Sequence, residues 1–429
     1  MQEYSAILPP QSKGRILLGN LPAFQSDPLG FLQETAIAHG DFVSLRFAHI
    51  RAFFVNHPDL IGDVLLRNAE DFDKNTRSAA KIRSTCGNSV LSGDKETLQR
   101  QRTLIQPAFQ PRFIEAMAPA VDAHLSCMLE RWGSLAAQGR PVDLVSEMME
   151  LVIGITARVM FGDDVDAVQL QADLAVLIDD TWRRIGALID PAEISPRFHR
   201  VAFRRALASV DSIATSIITR RRAGGQGRDD LLDRLLEAHA TTGEAGMDDR
   251  ELRDAAVTLL LAGHETTASA IAWSLYHVAS ETERDIAQSD PAMVFRETIR
   301  LYPSIWIIER RARRDVKIGP YSISKGASVL ISPYVLHRHR DFWPDAERFD
   351  PQRFSAESVA ARPRNAYLPF GLGQHRCVGL HLAGLIATRT LAAINRRFTL
   401  HLMQDTRPKA APKITLRHDG PIVARLEIR

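Results

Sequence analysis

MDDRELRDAAVTLLLAGHETTASAIAWSLYHVA, Met247 to Ala279, is the longest helix candidate in the chain. Asp248 with Glu251 three residues on forms a capping-box start, and nothing strongly helix-breaking follows for about thirty residues, or roughly 45 Å. The middle of the segment is apolar all round, which places such a helix at the centre of a protein. Into that centre the sequence inserts Gly263, His264, Glu265, Thr266 and Thr267. A mid-helix glycine costs about 1 kcal/mol relative to alanine, and a buried carboxylate costs more. Two readings compete. In one, the helix is kinked and the threonine hydroxyls bond back to the preceding turn. In the other, Gly263 lets a ligand approach the backbone while Glu265 and Thr266 handle protons beside it.

Working outward, DPAMVFRETIRLYP predicts a second helix, with Asp290 as N-cap, Pro291 in the first turn and Pro303 as its end. Glu297 and Arg300 share one face of it and can pair, and Arg353 in RFDPQRFS could bring a second guanidinium to the same carboxylate. Helical periodicity fills most of the chain. Short strand-like runs, DFVSLRF, AFFVN and ASVLISP, fall in the first hundred residues and between about Arg310 and Ile331. The fold class is therefore mainly α with small β-sheets, and a regular alternating α/β sheet is excluded. RRRAGGQGRDD, Arg220 to Asp230, is a short linker and no domain boundary. A single domain over residues 1–429, with a Pro/Gly-punctuated arm over residues 1–20, is expected.

Composition narrows the function. Hydrophobic residues at 45%, charged residues at 24% and a net charge of +3 are ordinary globular values and do not suggest nucleic acid. Cys86, Cys127 and Cys377 are odd in number and far apart, which fits a reducing compartment. No apolar run approaches the ~20 residues of a membrane span, and the N-terminus lacks a signal-peptide core. A cytoplasmic protein without a transmembrane anchor is expected.

FGLGQHRCVG, Phe370 to Gly379, holds the remaining chemistry. A dinucleotide loop fails because Arg376 stands where the third glycine belongs, and zinc lacks further ligands at the right spacing. A cysteine nucleophile stays open, since any of fourteen histidines could serve as its base. Helical periodicity resumes after Cys377, so a helix N-terminus would favour its thiolate. Gly371, Gly373 and Gly379 would let a flat body lie close to the backbone. A thiolate beneath a flat cofactor is one way of holding haem iron.

These segments together resemble the cytochrome P450 family. The family's haem loop, F-x-x-G-x-[RH]-x-C-x-G, is matched by Phe370, Gly373, His375, Cys377 and Gly379. Its A-G-x-[DE]-T-[TS] signature is matched by Ala262, Gly263, Glu265, Thr266 and Thr267, and its Glu-x-x-Arg by Glu297 and Arg300, joined by Arg353. The stretch from Gly93 to Phe109 resembles a further family helix, but Leu98 stands where a histidine or tryptophan is usual four residues before Arg102.

The resemblance implies a P450 fold with haem b held between the long central helix and the cysteine-loop helix. Cys377 would be the axial ligand, with Phe370 and Gly371 beside it, Ala262 and Gly263 over the haem, and Arg102, Arg310 and His375 on the propionates. Glu265 and Thr266 would deliver protons. Glu297, Arg300 and Arg353 would be structural. The activity implied is hydroxylation of a lipophilic small molecule, terpenoid, steroid or fatty-acid-like, by a monomer using O2 and electrons from a separate ferredoxin and its reductase. A peroxide-dependent haem-thiolate enzyme and a non-catalytic haem sensor are the alternatives. By position, Leu260, Ala262, Ile305, Trp306, Ile308 and Ile422 would line the substrate pocket.

Overall fold

The computed structural model describes residues 7–162, 166–187, 189–224, 230–242, 247–280, 285–403 and 407–429. Residues 225–229 of the linker read between Arg220 and Asp230 lie outside them, as do the first six residues of the arm. The contacts group the chain into two compact units. The first takes the chain to Ala80 together with Ile299–Cys377, and the second combines Lys81–Thr298 with Val378–Arg429.

The first unit is built on a five-stranded sheet in the order Phe42–Phe47, Ile50–Val55, Ser328–Ile331, Ile308–Ala312, Phe72–Asp73. Phe42–Phe47 and Ile50–Val55 form an antiparallel hairpin, whereas Ile50–Val55 pairs in parallel with Ser328–Ile331. All three strand runs expected from the sequence are members of this sheet. Its buried face packs Phe42, Phe53, Val55, Phe72, Val329 and Ile331 into one apolar cluster. Fully buried β-branched and aromatic side chains of this kind are what a short, two-sided strand needs. The arm is tied to the sheet edge, with the Ser12 amide donating to Ser44 and the Ser44 amide to Pro10.

The second unit is helical. Its centre is the helix Asp249–Ser280, 32 residues and about 48 Å long. The capping box forms as expected: the Glu251 amide donates to Asp248 Oδ1 at 2.8 Å, and the Asp248 amide to Glu251 Oε2 at 3.2 Å. Between Leu252 and His277 most side chains of this helix are buried, so the all-round apolar pattern marks a helix enclosed by neighbours. Those neighbours include Leu144–Phe161, Val201–Gly224 and Leu380–Arg397. A small antiparallel hairpin, Ala410–Pro412 with Leu416–His418, also belongs to this unit. Pro291–Leu301 begins as the sequence predicts, with Asp290 Oδ1 accepting from the Ala292 amide at 2.8 Å. Among the described residues, no helix is long and apolar enough to cross a membrane.

Candidate active site

Within the central helix, both readings of the glycine–acid–threonine segment find something. The Thr266 hydroxyl donates to the Ala262 carbonyl at 2.8 Å, the back-bond that a helix-interior threonine is prone to make. At Gly263 a Cβ would stand 3.1 Å from Thr156 Cγ2 and 3.4 Å from Met160 Cε. That glycine therefore answers first to the close approach of helix Leu144–Phe161. His264 is buried, donates from Nδ1 to the Leu260 carbonyl at 2.8 Å, and is held neutral because burial lowers its pKa.

Glu265 is the anomaly. It is only 3% exposed, and a carboxylate so placed needs a counter-charge. No motif or spacing marks the residue that supplies it. In the structure Glu265 Oε1 is ion-paired with the guanidinium of Arg417, from the hairpin strand Leu416–His418. Its other oxygen, Oε2, is buried without a hydrogen-bond partner among the described residues. A buried acceptor left in that state costs about 1–3 kcal/mol, which is tolerated where chemistry uses it.

In the first unit, the cysteine loop is shaped by its own backbone. The Cys377 amide donates to the Phe370 carbonyl at 2.8 Å, the Arg376 amide to Gly373 at 3.0 Å, and the Gly371 amide to Leu368 at 3.0 Å. Gly371 and Gly373 have φ of 69° and 66°, in the left-handed region where only glycine is free of strain. Gly373 has a second reason as well, since a Cβ there would lie 2.5 Å from the Leu65 carbonyl oxygen. Cys377 is exposed, and the helix that follows starts at Leu380 with Gly379 as its N-cap. The cysteine thus precedes the helix by two residues more than the periodicity suggested, because its amide closes the loop onto Phe370. Phe370 and His375 are half-buried in the same loop. The other two cysteines are a buried thiol, Cys86, pushed up to about 12 by burial, and an exposed one, Cys127.

Arg310 supplies the test of whether an anionic flat cofactor suits these residues. It sits on the strand Ile308–Ala312, opposite Val329, and is 7% exposed. Its guanidinium donates from Nη1 to the Glu309 carbonyl at 2.9 Å and makes no ion pair with any carboxylate among the described residues. Burial pushes its pKa down to about 10. A guanidinium desolvated to that degree is suited to an anionic group from outside the chain, such as a propionate. The haem reading passes on this donor chemistry and on the exposed Cys377 thiol. Arg102 lies half-buried on the helix Lys95–Ile105, and Leu98 on the same helix is buried at 2%.

Glu297 and Arg300 are both fully buried, so they are not the routine surface pair that Glu-x-x-Arg describes in most helices. Arg353 is half-buried and donates from Nη2 to the Asp345 carbonyl at 3.0 Å.

Of the substrate wall expected by position, Leu260, Trp306 and Ile422 are each 0% exposed. Trp306 is core, stacked on Phe24 with ring centroids 6.2 Å apart, and its carbonyl accepts from Ser332. Ile422 anchors the start of helix Leu144–Phe161, its carbonyl accepting the Leu144 amide at 2.8 Å. Ala262 and Ile308 are half-buried, and Ile305 is 39% exposed, so these three remain candidates.

The family model for cytochrome P450 matches residues 9–284 and 292–423. The chain belongs to the cytochrome P450 family, as a monooxygenase with a haem-thiolate cofactor. It is 33% identical over 415 residues to the cyclooctat-9-en-7-ol 5-monooxygenase of Streptomyces melanosporofaciens, covering 91% of this chain and 89% of that protein. Cyclooctatin synthase from the same organism is 30% identical over 431 residues, with 94% and 92% covered. The pentalenene oxygenase of Streptomyces avermitilis is 26% identical over 427 residues, with 94% and 93% covered.

Proposed function

We propose that this chain is a single catalytic domain that hydroxylates a cyclic, mostly hydrocarbon substrate of the terpenoid class. It works as a cytoplasmic monomer, with O2 and electrons from a separate ferredoxin and its reductase. Of the three lipophilic classes open from the sequence, the terpenoid is favoured by relatives whose names describe oxidation of cyclooctat-9-en-7-ol and of pentalenene. When bound, haem b supplies the redox centre at which O2 is activated and a substrate C–H bond is oxidised. The net reaction consumes two electrons and two protons per O2 and yields the alcohol and water.

The chain's own residues divide the remaining work. Cys377 offers its thiolate to the iron, and Phe370, whose carbonyl closes the loop, sits beside it. Arg310, Arg102 and His375 hold the propionates, Arg310 through a guanidinium already stripped of water. Ala262, Gly263 and the loop's Gly371 would receive the macrocycle, and Glu297, Arg300 and Arg353 would be structural. Glu265 and Thr266 move the protons, with Glu265 Oε2 as the oxygen that receives a proton from water and passes it on.

That unsatisfied oxygen is the observation that carries the reading. An enzyme fed with peroxide needs no protons to reduce O2, and a sensor needs none at all. Turnover with NADH, ferredoxin and reductase is therefore expected to exceed turnover with hydrogen peroxide. Product with peroxide alone would point to the peroxide-dependent class, and no product under either condition to a sensor. Titration of the ferric protein with a panel of cyclic terpenoids, steroids and fatty acids should give the largest shift in the haem absorption spectrum with a terpenoid. A shift confined to fatty acids would overturn the substrate class.

Thr266→Ala is expected to uncouple the reaction. Electron consumption should continue while the share of it that reaches product drops about tenfold or more, with hydrogen peroxide released instead. Unchanged coupling would remove Thr266 from proton delivery.

A further inference from the structure

The hairpin strand Leu416–His418 packs on the central helix, and its three residues reach three turns of it. Glu265, Ser269 and Trp273 are spaced four residues apart and so form one stripe of that helix. Ser269 Oγ donates to the Leu416 carbonyl at 3.3 Å, Arg417 pairs with Glu265, and the His418 ring stacks on Trp273 with centroids 4.3 Å apart. His418 is half-buried and neutral, its pKa driven down to about 3 by desolvation, so this last contact is an aromatic one. Three consecutive hairpin residues thus fix the strand against three consecutive helix turns, with the acid at one end.

Arg417 does more than cap the acid. Its Nη1 donates to Asp179 Oδ1 at 3.0 Å, and Lys413 Nζ, from the same hairpin, donates to that oxygen at 3.0 Å. Asp179 lies on the helix Ala167–Gly186. The side-chain exposures rise along this line, 4% for Glu265, 19% for Arg417 and 50% for Asp179. One guanidinium therefore lies between a buried carboxylate and a surface carboxylate, ion-paired with the first and hydrogen-bonded to the second.

We infer that Arg417 is the positioning residue for Glu265. By occupying Oε1 and being held from behind by Asp179, it fixes the carboxylate plane so that Oε2 alone is left to exchange protons. This rests on the reading of Glu265 as a proton-delivery group. Without Arg417 the carboxylate is both unpaired in the core and free to rotate, and these two consequences can be measured separately.

The test uses the haem-loaded protein with its redox partners and a substrate found by the spectral screen. Arg417→Gln is expected to lower the product formed per electron pair about tenfold, with Arg417→Lys intermediate and Asp179→Asn milder than either. Glu265→Gln should uncouple on its own, and Glu265→Gln combined with Arg417→Gln should be no worse than Glu265→Gln. Thermal unfolding gives a readout independent of turnover. Arg417→Gln should lower Tm by about 5 °C, and adding Glu265→Gln should recover most of that loss by removing the uncompensated carboxylate. Wild-type coupling in Arg417→Gln, or additive losses of both coupling and Tm in the double variant, would overturn the inference while leaving Glu265 in its role. Full coupling in Glu265→Gln would overturn the proton-delivery reading itself, and the role of Arg417 with it.

Discussion

Arg300→Met is expected to destabilise the protein by about 4 kcal/mol or more. Arg300 is 0% exposed, and its guanidinium donates to the carbonyls of His337 at 2.9 Å, Ala346 at 2.7 Å and Arg348 at 3.1 Å. It also lies over the Trp343 ring, 5.2 Å from the centroid. Methionine can fill much of the volume, so the loss comes mainly from three backbone acceptors left without their donor in the interior. Hydrogen bonds to a charged group contribute about 1.5–3 kcal/mol each, and even with partial relaxation the sum exceeds what ordinary substitutions cost.

The damage should reach the cysteine loop. His337 donates from Nδ1 to the Arg300 carbonyl at 3.1 Å and accepts the Leu368 amide on Nε2 at 3.0 Å. Both contacts require a neutral imidazole, and burial holds its pKa well below the usual histidine range. Leu368 in turn accepts the Gly371 amide. Arg300 is thus three hydrogen-bonded steps from the loop that carries Cys377. Denaturant unfolding of wild-type and Arg300→Met protein, with haem content measured in parallel, should show an earlier midpoint and incomplete haem retention. An unchanged midpoint would contradict a structural role for this arginine.

Where the determinants are local, the sequence was sufficient to read them. The capping box and the unbroken apolar run place the start of the central helix within a residue, and the strand runs all occur in the sheet. The pairing of Ile50–Val55 with Ser328–Ile331 was not legible, because it joins segments far apart in the chain whose patterns do not encode each other. The same limit applies at the site. The acid–threonine and cysteine-loop residues announced themselves by being costly where they stand, but the arginine that compensates Glu265 lies on a hairpin with no pattern of its own. Only the demand of a buried carboxylate for a cation could have prompted a search for it. Trp306, Leu260 and Ile422 show the converse, since apolarity predicts burial and cannot tell a core from a cavity wall.

Cys377→Ser tests the ligand assignment on which the rest depends. The loop that presents this residue is held by main-chain hydrogen bonds, among them the Cys377 amide to the Phe370 carbonyl at 2.8 Å. Exchanging sulfur for oxygen leaves those bonds and the glycine conformations intact, so the variant should fold and keep the shape of the loop. What changes is the donor. A thiolate is a far stronger electron donor to iron than a serine hydroxyl, and it sets the electronic spectrum of the carbon monoxide adduct. Monooxygenation should fall to background along with it.

The ferrous–carbon monoxide spectrum of the wild-type protein and of Cys377→Ser is the decisive measurement. The wild type should show the red-shifted Soret band of thiolate-ligated haem, and the variant should lose it while still folding. A red-shifted band that survives in Cys377→Ser, or that is absent from the haem-loaded wild type, would contradict the assignment of Cys377 as the axial ligand.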